Sequence, residues 1–199
     1  MDPLKILVKS METKEKLRNE ARLKRNSFPM EELADKSKLI SDRIDIYLKE
    51  HNIKNIFMYS PINGEVNVNY LRDKYLNSNI GLYYPKVRGA AMTYYKISSG
   101  MDLRKGAYNI PEPVEGLEES VPQKEDVVLV PGLAFNKKGY RIGYGKGYYD
   151  TYFYGKTGIS LIGVCYDFQL EKEWNPDIYD VKMNIIITEK RSLISDDRG

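Results

Sequence analysis

Cysteine and histidine are nearly absent from this sequence of 199 residues, which contains one of each, Cys165 and His51. A single cysteine excludes an internal disulfide and a CxxC zinc or redox site, as is usual in a reducing compartment. A Ser-His-Asp triad or a histidine-rich metal site would have to be built around His51 alone. His51 ends a polar helical run, where a cation-capable side chain is favoured on structural grounds. We therefore expect neither a covalent cysteine nor a histidine base, and we interpret Cys165 as a small core residue.

Long apolar runs are also missing. No stretch approaches the roughly 20 apolar residues that a membrane span needs, and the apolar run 4–8 is too short for a signal-peptide core. The net charge of +3, from 31 Lys+Arg and 28 Asp+Glu, does not by itself indicate a nucleic-acid partner. These features predict a cytoplasmic protein that contacts neither membrane nor nucleic acid.

Tyrosine, by contrast, is abundant: the chain has Tyr 17, Phe 5 and Trp 1. Tyrosines interleaved with basic residues are also compatible with stacking on single-stranded RNA, which is the main alternative outside the enzymes. The small net charge and the scattered tyrosines weigh against that alternative, since such binding depends on clustered positive charge.

Helical and strand-like segments alternate along the chain. Periodicity predicts helices over 14–25, 31–50 and 66–76, and strands over 53–59, 80–84, 92–97, 127–130, 159–166 and 183–188. The segment 100–122 is rich in glycine and proline and is predicted to be an ordered loop. This alternation is typical of an α/β fold in which helices cover both faces of a parallel or mostly parallel sheet.

A glycine-rich segment follows the most apolar strand, 127–130, and leads to a helix start near Tyr148. Its glycines alternate with cationic side chains: Gly139, Gly143, Gly145 and Gly147 with Lys137, Lys138, Arg141 and Lys146. Glycines let backbone N–H groups approach phosphate oxygens, and arginine and lysine add full charge. The segment therefore predicts an anion site at the carboxyl end of a parallel strand.

Other interpretations of this segment stay open at this point. Alternate glycines also suit a hairpin or a closely packed strand. A dinucleotide site fits less well, because the spacing is GxGxG rather than GxGxxG, and a Walker A loop would need Ser or Thr after Lys146. Asp150 suits a first helical turn, but beside phosphates it would need a divalent cation, with Asp180 as a candidate second carboxylate.

The sequence resembles the 5-formyltetrahydrofolate cyclo-ligase family, also called 5,10-methenyltetrahydrofolate synthetases. The family's Pro-Gly, Phe and Gly-x-Arg-x-Gly-x-Gly-x-Gly-Tyr-Tyr-Asp pattern matches Pro131-Gly132, Phe135 and 139–150. An upstream Lys-x-x-x-Arg matches Lys14 and Arg18, and Glu65 and Asn-Ile-Pro-x-Pro at 109–113 follow in order. The likeness spans roughly residues 13 to 190, so we predict a single cyclo-ligase domain over 13–199 after a flexible extension over 1–12.

The resemblance implies a three-layer α/β/α fold and a site assembled from several segments. The residues implied for ATP are Lys14, Arg18, Arg141, Ile142, Gly143, Tyr144, Gly145, Lys146, Gly147, Tyr148 and Tyr149, of which Lys14, Arg141 and Lys146 are the catalytic candidates. Those implied for the folate are Met58, Glu65, Gly145, Lys146, Gly147, Tyr148 and Tyr149, with Tyr84 and Tyr108 as further candidates for stacking on its rings. Asp150 and Asp180 would hold Mg²⁺. Without the motif, Lys14 and Arg18 would be interpreted as a solvated helix pair.

The implied reaction is ATP- and Mg²⁺-dependent cyclisation of 5-formyltetrahydrofolate to 5,10-methenyltetrahydrofolate through an iminium phosphate, with ADP and phosphate released. It needs no protein nucleophile, in agreement with the scarcity of cysteine and histidine. Glu65 is expected near the pterin as an acceptor of hydrogen bonds and of a proton. The expected partner is the folate, in monoglutamate or polyglutamate form, bound by a monomer. Asn136, Asn184 and Tyr144 depart from residues frequent in relatives, so no charged role is assigned to those positions.

Overall fold

The computed structural model describes residues 3–106, 109–170 and 174–195, with side chains from Glu12 onward. Its helices are α1 (Pro3–Asn26), α2 (Met30–Glu50), α3 (Asn69–Tyr75) and α4 (Tyr148–Phe153). Its strands are β1 (Asn55–Phe57), β2 (Gly81–Arg88), β3 (Ala91–Ile97), β4 (Leu103–Lys105), β5 (Pro111–Pro113), β6 (Glu119–Ser120), β7 (Val127–Pro131), β8 (Ala134–Phe135), β9 (Arg141–Ile142), β10 (Ser160–Val164), β11 (Ile185–Ile187) and β12 (Ser192–Ile194).

An 8-stranded sheet with the order β12-β11-β10-β7-β1-β2-β3-β6 forms the centre of the molecule. The inner strands β11, β10, β7, β1 and β2 pair in parallel. β12, β3 and β6 join the sheet through antiparallel pairs. The predicted mostly parallel α/β fold is thus confirmed, with antiparallel strands confined to the edges.

Alternate side chains of the central strands face different helices. Val127 and Leu129 of β7 belong to one buried cluster with α2 and α3, and Val128 and Val130 belong to another with Phe153 of α4. α2 contributes the stripe predicted from its periodicity, including Leu33, Ile40, Ile44 and Leu48. The sheet is buried on both faces, which explains why its strands are continuous apolar runs rather than alternating ones.

Several segments differ from the sequence prediction. α1 begins at Pro3, so it is longer than the predicted helix over 14–25. β2 continues through Pro85 because β1 pairs only with residues 81–83, and a proline is tolerated where a strand has one neighbour. The predicted loop over 100–122 contains the small β4–β5 sheet and contributes β6 to the large sheet.

The chain order reverses between β1 and β7. From β1 the chain continues to β2 on one side, whereas β7, β10 and β11 follow on the other. In open α/β sheets, ligands bind outside the carboxyl ends of the strands at such a switch point. The segments that leave β1 and β7 contain Glu65 and the glycine-rich loop, so the fold brings these sequence candidates to one end of the sheet. Within the described ranges, no helix combines the length and apolarity that crossing a bilayer requires.

Candidate active site

The glycine-rich loop begins from a small antiparallel pair. β8 and β9 pair over residues 134–142, and the Asn136 side chain closes their turn by accepting the Tyr140 N–H at 3.0 Å. Part of the segment is therefore the hairpin that glycine spacing also allowed. The chain then leaves the hairpin through Gly145 (φ 96°) and Gly147 (φ 69°), left-handed conformations that L side chains rarely adopt. Glycine is needed there to carry the backbone from β9 into α4.

Helix α1 lies against this loop. Leu17 and Ala21, the predicted apolar stripe, pack in one cluster with Ile142. This packing brings Arg18 to the loop, where its Nε donates to the Gly143 carbonyl at 3.0 Å. Lys14 and Arg18 are consequently not a solvated surface pair, since their side chains are only 11% and 19% exposed.

Lys14 is enclosed by two carboxylates from the turn before β11. Its Nζ lies 2.6 Å from Oδ2 of Asp177 and 2.6 Å from Oδ2 of Asp180. The same Asp180 oxygen accepts the Asp177 backbone N–H at 2.8 Å. The turn therefore holds the Lys14 ammonium in a fixed place beside the loop.

Arg141 of β9 and Asp150 of α4 form a second cationic and anionic pair. Two hydrogen bonds of 3.0 and 3.1 Å join the guanidinium to the carboxylate. Asp150 also accepts the Val181 N–H at 3.0 Å, next to Asp180 in the chain. The Tyr149 ring lies under the Arg141 guanidinium, 5.4 Å from its centre to Cζ. This tie between α4 and the turn brings Lys14, Arg141, Asp150 and Asp180 to one locality, as the motif match predicted.

These carboxylates do not form a complete protein-built metal centre. Across the part of the chain that is described, no group of three or more His, Cys, Asp or Glu side chains could hold a metal ion. Mg²⁺, however, is usually bound by only one or two carboxylates together with substrate phosphates and water. Asp150 and Asp180 match that kind of donor set.

Glu65 lies in the segment that follows β1 and is almost completely buried, with 7% exposed. Burial raises the pKa of its carboxyl to about 7, against the opposing effects of the Ile62 N–H, the Arg25 charge and the Tyr144 hydroxyl. The Ile62 N–H donates to Oε2 at 3.0 Å. The Glu65 carboxyl group therefore ionises near neutral pH, which is the property expected of a residue that accepts a proton.

The other folate candidates lie in different surroundings. Met58 and Tyr84 are 0% exposed and belong to the core cluster beneath α2 and α3. Their positions do not favour direct contact with a ligand. Tyr148 is half-buried on α4, and its hydroxyl donates to the Gly89 carbonyl at 3.4 Å. Tyr108 lies outside the described residues.

Two residues at this end of the sheet were not among the sequence candidates. Asp177 shares Lys14 with Asp180, and its place in the acidic turn 177–180 was the only signal for it. Arg25 donates through Nη2 to the Tyr144 hydroxyl at 2.7 Å and so links α1 to the glycine-rich loop. Its spacing of seven residues from Arg18 puts both side chains on one helix face, a signal that was available in the sequence.

Fold and site together define a doubly wound α/β protein with a glycine-rich loop at its topological switch point. The 5-formyltetrahydrofolate cyclo-ligase family model matches residues 10–189. The chain therefore belongs to this family, and it is an enzyme of that class.

Individual relatives agree with this assignment. The 5-formyltetrahydrofolate cyclo-ligase of Mycoplasma pneumoniae is 31% identical over 140 residues, 69% of this chain and 74% of that protein. The Saccharomyces cerevisiae cyclo-ligase is 26% identical over 92% of this chain and 98% of its own length. The NMR structure of the Aquifex aeolicus 5,10-methenyltetrahydrofolate synthetase superimposes with a TM-score of 0.82, at 34% identity, covering 94% of this chain and 95% of that one.

Proposed function

We propose that the protein uses Mg-ATP to convert 5-formyltetrahydrofolate, with one or more glutamates, into 5,10-methenyltetrahydrofolate, releasing ADP and phosphate as a cytoplasmic monomer. The observation that carries this proposal is the meeting of Lys14 and Arg18 with Arg141 at the glycine-rich loop. These cations come from α1 and β9, which are distant in sequence. Each cation is paired with carboxylate: Lys14 with Asp177 and Asp180, Arg18 with Glu15, and Arg141 with Asp150. Cations and carboxylates held together at a glycine-rich loop suit nucleotide phosphates that bind together with Mg²⁺.

The phosphate site would be built from side-chain cations and open backbone. Lys14 and Arg18 lie on one side of the loop, and Lys146 is exposed within it. Nothing lies within 4 Å of the position that a Cβ would take on Gly143, so the loop has room for an oxygen-rich group there. Preorganised cations of this kind stabilise charge that develops on a transferring phosphoryl group.

The donor chemistry of the site fits Mg²⁺. Asp150 and Asp180 supply carboxylate oxygens on adjoining segments, tied by the bond from the Val181 N–H to Asp150. An ionised carboxylate has about four acceptor positions, so its present partners leave capacity for a metal. When bound, Mg²⁺ would neutralise phosphate charge; Asp150 and Asp180 are the residues that would hold it.

The proposed reaction forms no covalent bond between the protein and its substrates. The formyl oxygen of the folate takes the terminal phosphoryl group of ATP, and ADP leaves with the electron pair of the broken P–O bond. N10 then attacks the formyl carbon and loses its proton, and phosphate leaves with the C–O electron pair. Lys14, Arg18, Arg141 and Lys146 would orient the phosphates and balance their charge throughout.

We assign Glu65 as the base that accepts the proton lost by N10. Its carboxyl has a pKa of about 7, so near neutral pH a substantial fraction is ionised and able to accept. Because it is buried beside Arg25 and Tyr144, the ionised form has a positive group and a hydroxyl near it. The carboxylate is thus held ready without full exposure to water.

The test is whether ADP release depends on the folate. Purified protein with Mg-ATP should release ADP only when 5-formyltetrahydrofolate is added, in equal amount to the folate consumed. Arg18→Gln should raise the KM for ATP more than the KM for the folate, because Arg18 bonds the loop at Gly143. ADP release that is independent of the folate, or absent while a known family enzyme is active in parallel, would overturn the proposal.

A further inference from the structure

Gln169 is a buried residue whose side-chain amide bonds to the segment that leaves β7. It ends a short 3₁₀ helix (Asp167–Gln169) that follows β10, and it is 3% exposed. Its Nε2 donates to the carbonyls of Gly132 and Leu133 at 2.9 and 2.8 Å. Its Oε1 accepts the Tyr166 N–H at 2.9 Å. Both donor hydrogens of the amide are therefore used on consecutive carbonyls, although Gln169 itself lies outside the matched sequence motif.

The central sheet holds Gln169 in place. β10, the strand before the 3₁₀ helix, pairs with β7 on one side and with β11 on the other. The Asp167 carboxylate accepts two hydrogen bonds of 2.7 and 2.8 Å from Arg191. The Asp167 N–H also donates to Oε2 of Glu189 at 2.8 Å. The amide of Gln169 is thus presented to the segment after β7 from a part of the chain that is fixed on several sides.

The segment that Gln169 holds leads into the hairpin of the candidate site. The Leu133 N–H donates to the Ile142 carbonyl at 2.7 Å. Leu133 is therefore bonded to Gln169 through its carbonyl and to β9 through its N–H. Ile142 is flanked in the chain by Arg141 and Gly143, so the place of Leu133 sets the place of both.

The same contacts extend to α1. The side chains of Leu133 and Ile142 pack in one cluster with Ala21, and the Gly143 carbonyl accepts the Arg18 Nε–H at 3.0 Å. A shift of the Leu133 backbone would therefore move both β9 and the surface against which α1 packs. Three successive hydrogen-bonded contacts thus connect the buried amide with the cations of the candidate site.

We propose that Gln169 is a positioning residue for the nucleotide phosphates, an inference that rests on the proposed function. It acts through the Leu133 backbone, which fixes β9 and with it the direction of the Arg141 side chain. Buried carbonyl oxygens need hydrogen-bond donors, and the carbonyls of Gly132 and Leu133 would lose the two donors of Gln169. The segment would then relax toward other donors, and a misplacement of about 1 Å can cost about a hundredfold in rate.

Steady-state kinetics separates positioning from a general loss of stability. Gln169→Met fills a similar space without an amide, and Gln169→Glu keeps an acceptor for the Tyr166 N–H while offering at most one donor. We expect both variants to raise the KM for ATP by roughly tenfold and to leave the KM for 5-formyltetrahydrofolate close to the wild-type value. Asn55→Ala is the matched control, because it removes an amide that donates to Asp126 at 2.8 Å at the opposite end of the sheet. It should lower stability and change neither KM.

Backbone hydrogen exchange measures the positioning without any substrate. The Leu133 N–H is bonded to the Ile142 carbonyl in a buried segment, so it should exchange slowly in the wild type. In Gln169→Met it should exchange faster by more than the change in global stability explains. The amide of Val128, in β7, should change only as the global stability does, and Asn55→Ala should leave Leu133 equally protected relative to Val128.

Three results would overturn the assignment. The first is wild-type exchange at Leu133, relative to Val128, in a folded Gln169 variant. The second is a wild-type KM for ATP in a folded variant whose Leu133 amide exchanges faster. The third is an equal rise of the KM for ATP in Gln169→Met and Asn55→Ala, because a loss of stability alone would then account for it. Thermal melts show which variants are folded, and Gln169→Glu decides the question if Gln169→Met does not fold.

Failure of this inference can be told from failure of the proposed function. If the wild type forms no methenyl product, the proposed function fails, and calorimetric binding of Mg-ADP takes the place of the KM for ATP. Weaker binding of Mg-ADP by Gln169→Met then supports the positioning role, and equal binding by Gln169→Met and the wild type overturns it. If product forms and Gln169→Met has the wild-type KM for ATP, the inference fails and the proposed function stands.

Discussion

Arg141 and Asp150 form a two-bond ion pair, with Nη1–Oδ1 and Nη2–Oδ2 distances of 3.0 and 3.1 Å. The Arg141 side chain is 4% exposed, whereas 26% of the Asp150 side chain is exposed. The pair therefore fixes a buried cation from the hairpin and leaves part of the carboxylate facing outward. Arg141, the candidate phosphate-binding residue, and Asp150, the candidate metal ligand, are thus held in one place by a single contact between β9 and α4.

Asp150→Asn should raise the Mg²⁺ concentration that gives half-maximal activity by roughly tenfold. The amide keeps the shape of the side chain but loses the charge that attracts Mg²⁺ and orients Arg141. A metal titration of cyclisation measures the effect. Asp73→Asn is the matched control, since Asp73 is an exposed carboxylate that pairs with the neighbouring Arg72. If Asp150→Asn required the same Mg²⁺ concentration as the wild type, Asp150 would have a purely structural role.

Lys14→Gln should raise the KM for ATP by about tenfold or more. A hydrogen bond to a charged group contributes about 1.5–3 kcal/mol, and 1.4 kcal/mol corresponds to tenfold. Steady-state kinetics with each substrate varied in turn separates this effect from a change in folate binding. Lys16→Gln provides the control on the same helix, with a side chain that is 76% exposed. An equal rise of the KM for ATP in Lys14→Gln and Lys16→Gln would show that the total positive charge, and not the position of Lys14, determines ATP binding.

Two glycines of the loop should respond differently to alanine. Gly147 has φ 69°, so Gly147→Ala should lower the unfolding free energy by about 1–2 kcal/mol. Gly143 has no positive φ and open space around it, so Gly143→Ala should melt like the wild type while its KM for ATP rises. Thermal melts and ATP kinetics check the two effects. Gly100→Ala, also in open space but outside the loop, should change neither the melting temperature nor the KM for ATP. A Gly143→Ala variant with normal ATP kinetics would show that no ligand occupies the open space beside Gly143.

The buried Glu65 should make stability depend on pH. Burial raises the pKa of Glu65 from 4.5 to about 7, so the folded chain binds this proton more tightly than the unfolded chain. The contribution to unfolding free energy is full below about pH 4.5 and is lost as the pH rises to about 7. At 1.36 kcal/mol per pKa unit, the loss is about 3 kcal/mol.

Glu65→Gln tests this dependence by removing the titrating group. Urea unfolding between pH 5 and pH 8 should show a wild-type decline that is flattened in Glu65→Gln. Glu31→Gln, at an exposed position in the first turn of α2, should retain the wild-type decline. Unfolding free energies that change in parallel with pH in the wild type, Glu65→Gln and Glu31→Gln would mean that Glu65 has the same pKa in the folded and unfolded states.

Much of the fold could be predicted from apolar periodicity. The stripe of α2 and the apolar run of β7 both lie in the core where the patterns put them. Segment ends were less predictable, because strand length depends on which neighbour is present. β2 continues past Tyr83 along β3 even though β1 stops, and no local signal in the sequence records that pairing.

The candidate site residues could be predicted where they belong to a sequence motif. Contacts between residues that are distant in sequence could not be predicted. Lys14 and Arg141 belong to the matched motif. Asp150 and Asp180 were predicted as Mg²⁺ ligands, and their ion pairs with Arg141 and Lys14 were not predicted. Arg25 and Asp177 lie outside the matched motif, and their contacts are with residues more than 100 positions away. The tyrosine excess is explained in part by burial: Tyr59, Tyr84, Tyr94 and Tyr166 lie in the core, where their rings cannot form a stacking platform for RNA.

The most direct measurement mixes purified protein with 5-formyltetrahydrofolate and Mg-ATP and follows the absorbance band of the methenyl product. We expect a band that grows only when ATP and Mg²⁺ are both present and that is strongly reduced in Arg141→Ala. No band from folded protein, with an authentic family enzyme active in parallel, would contradict the proposed reaction. A band of equal rate in Arg141→Ala would contradict the site.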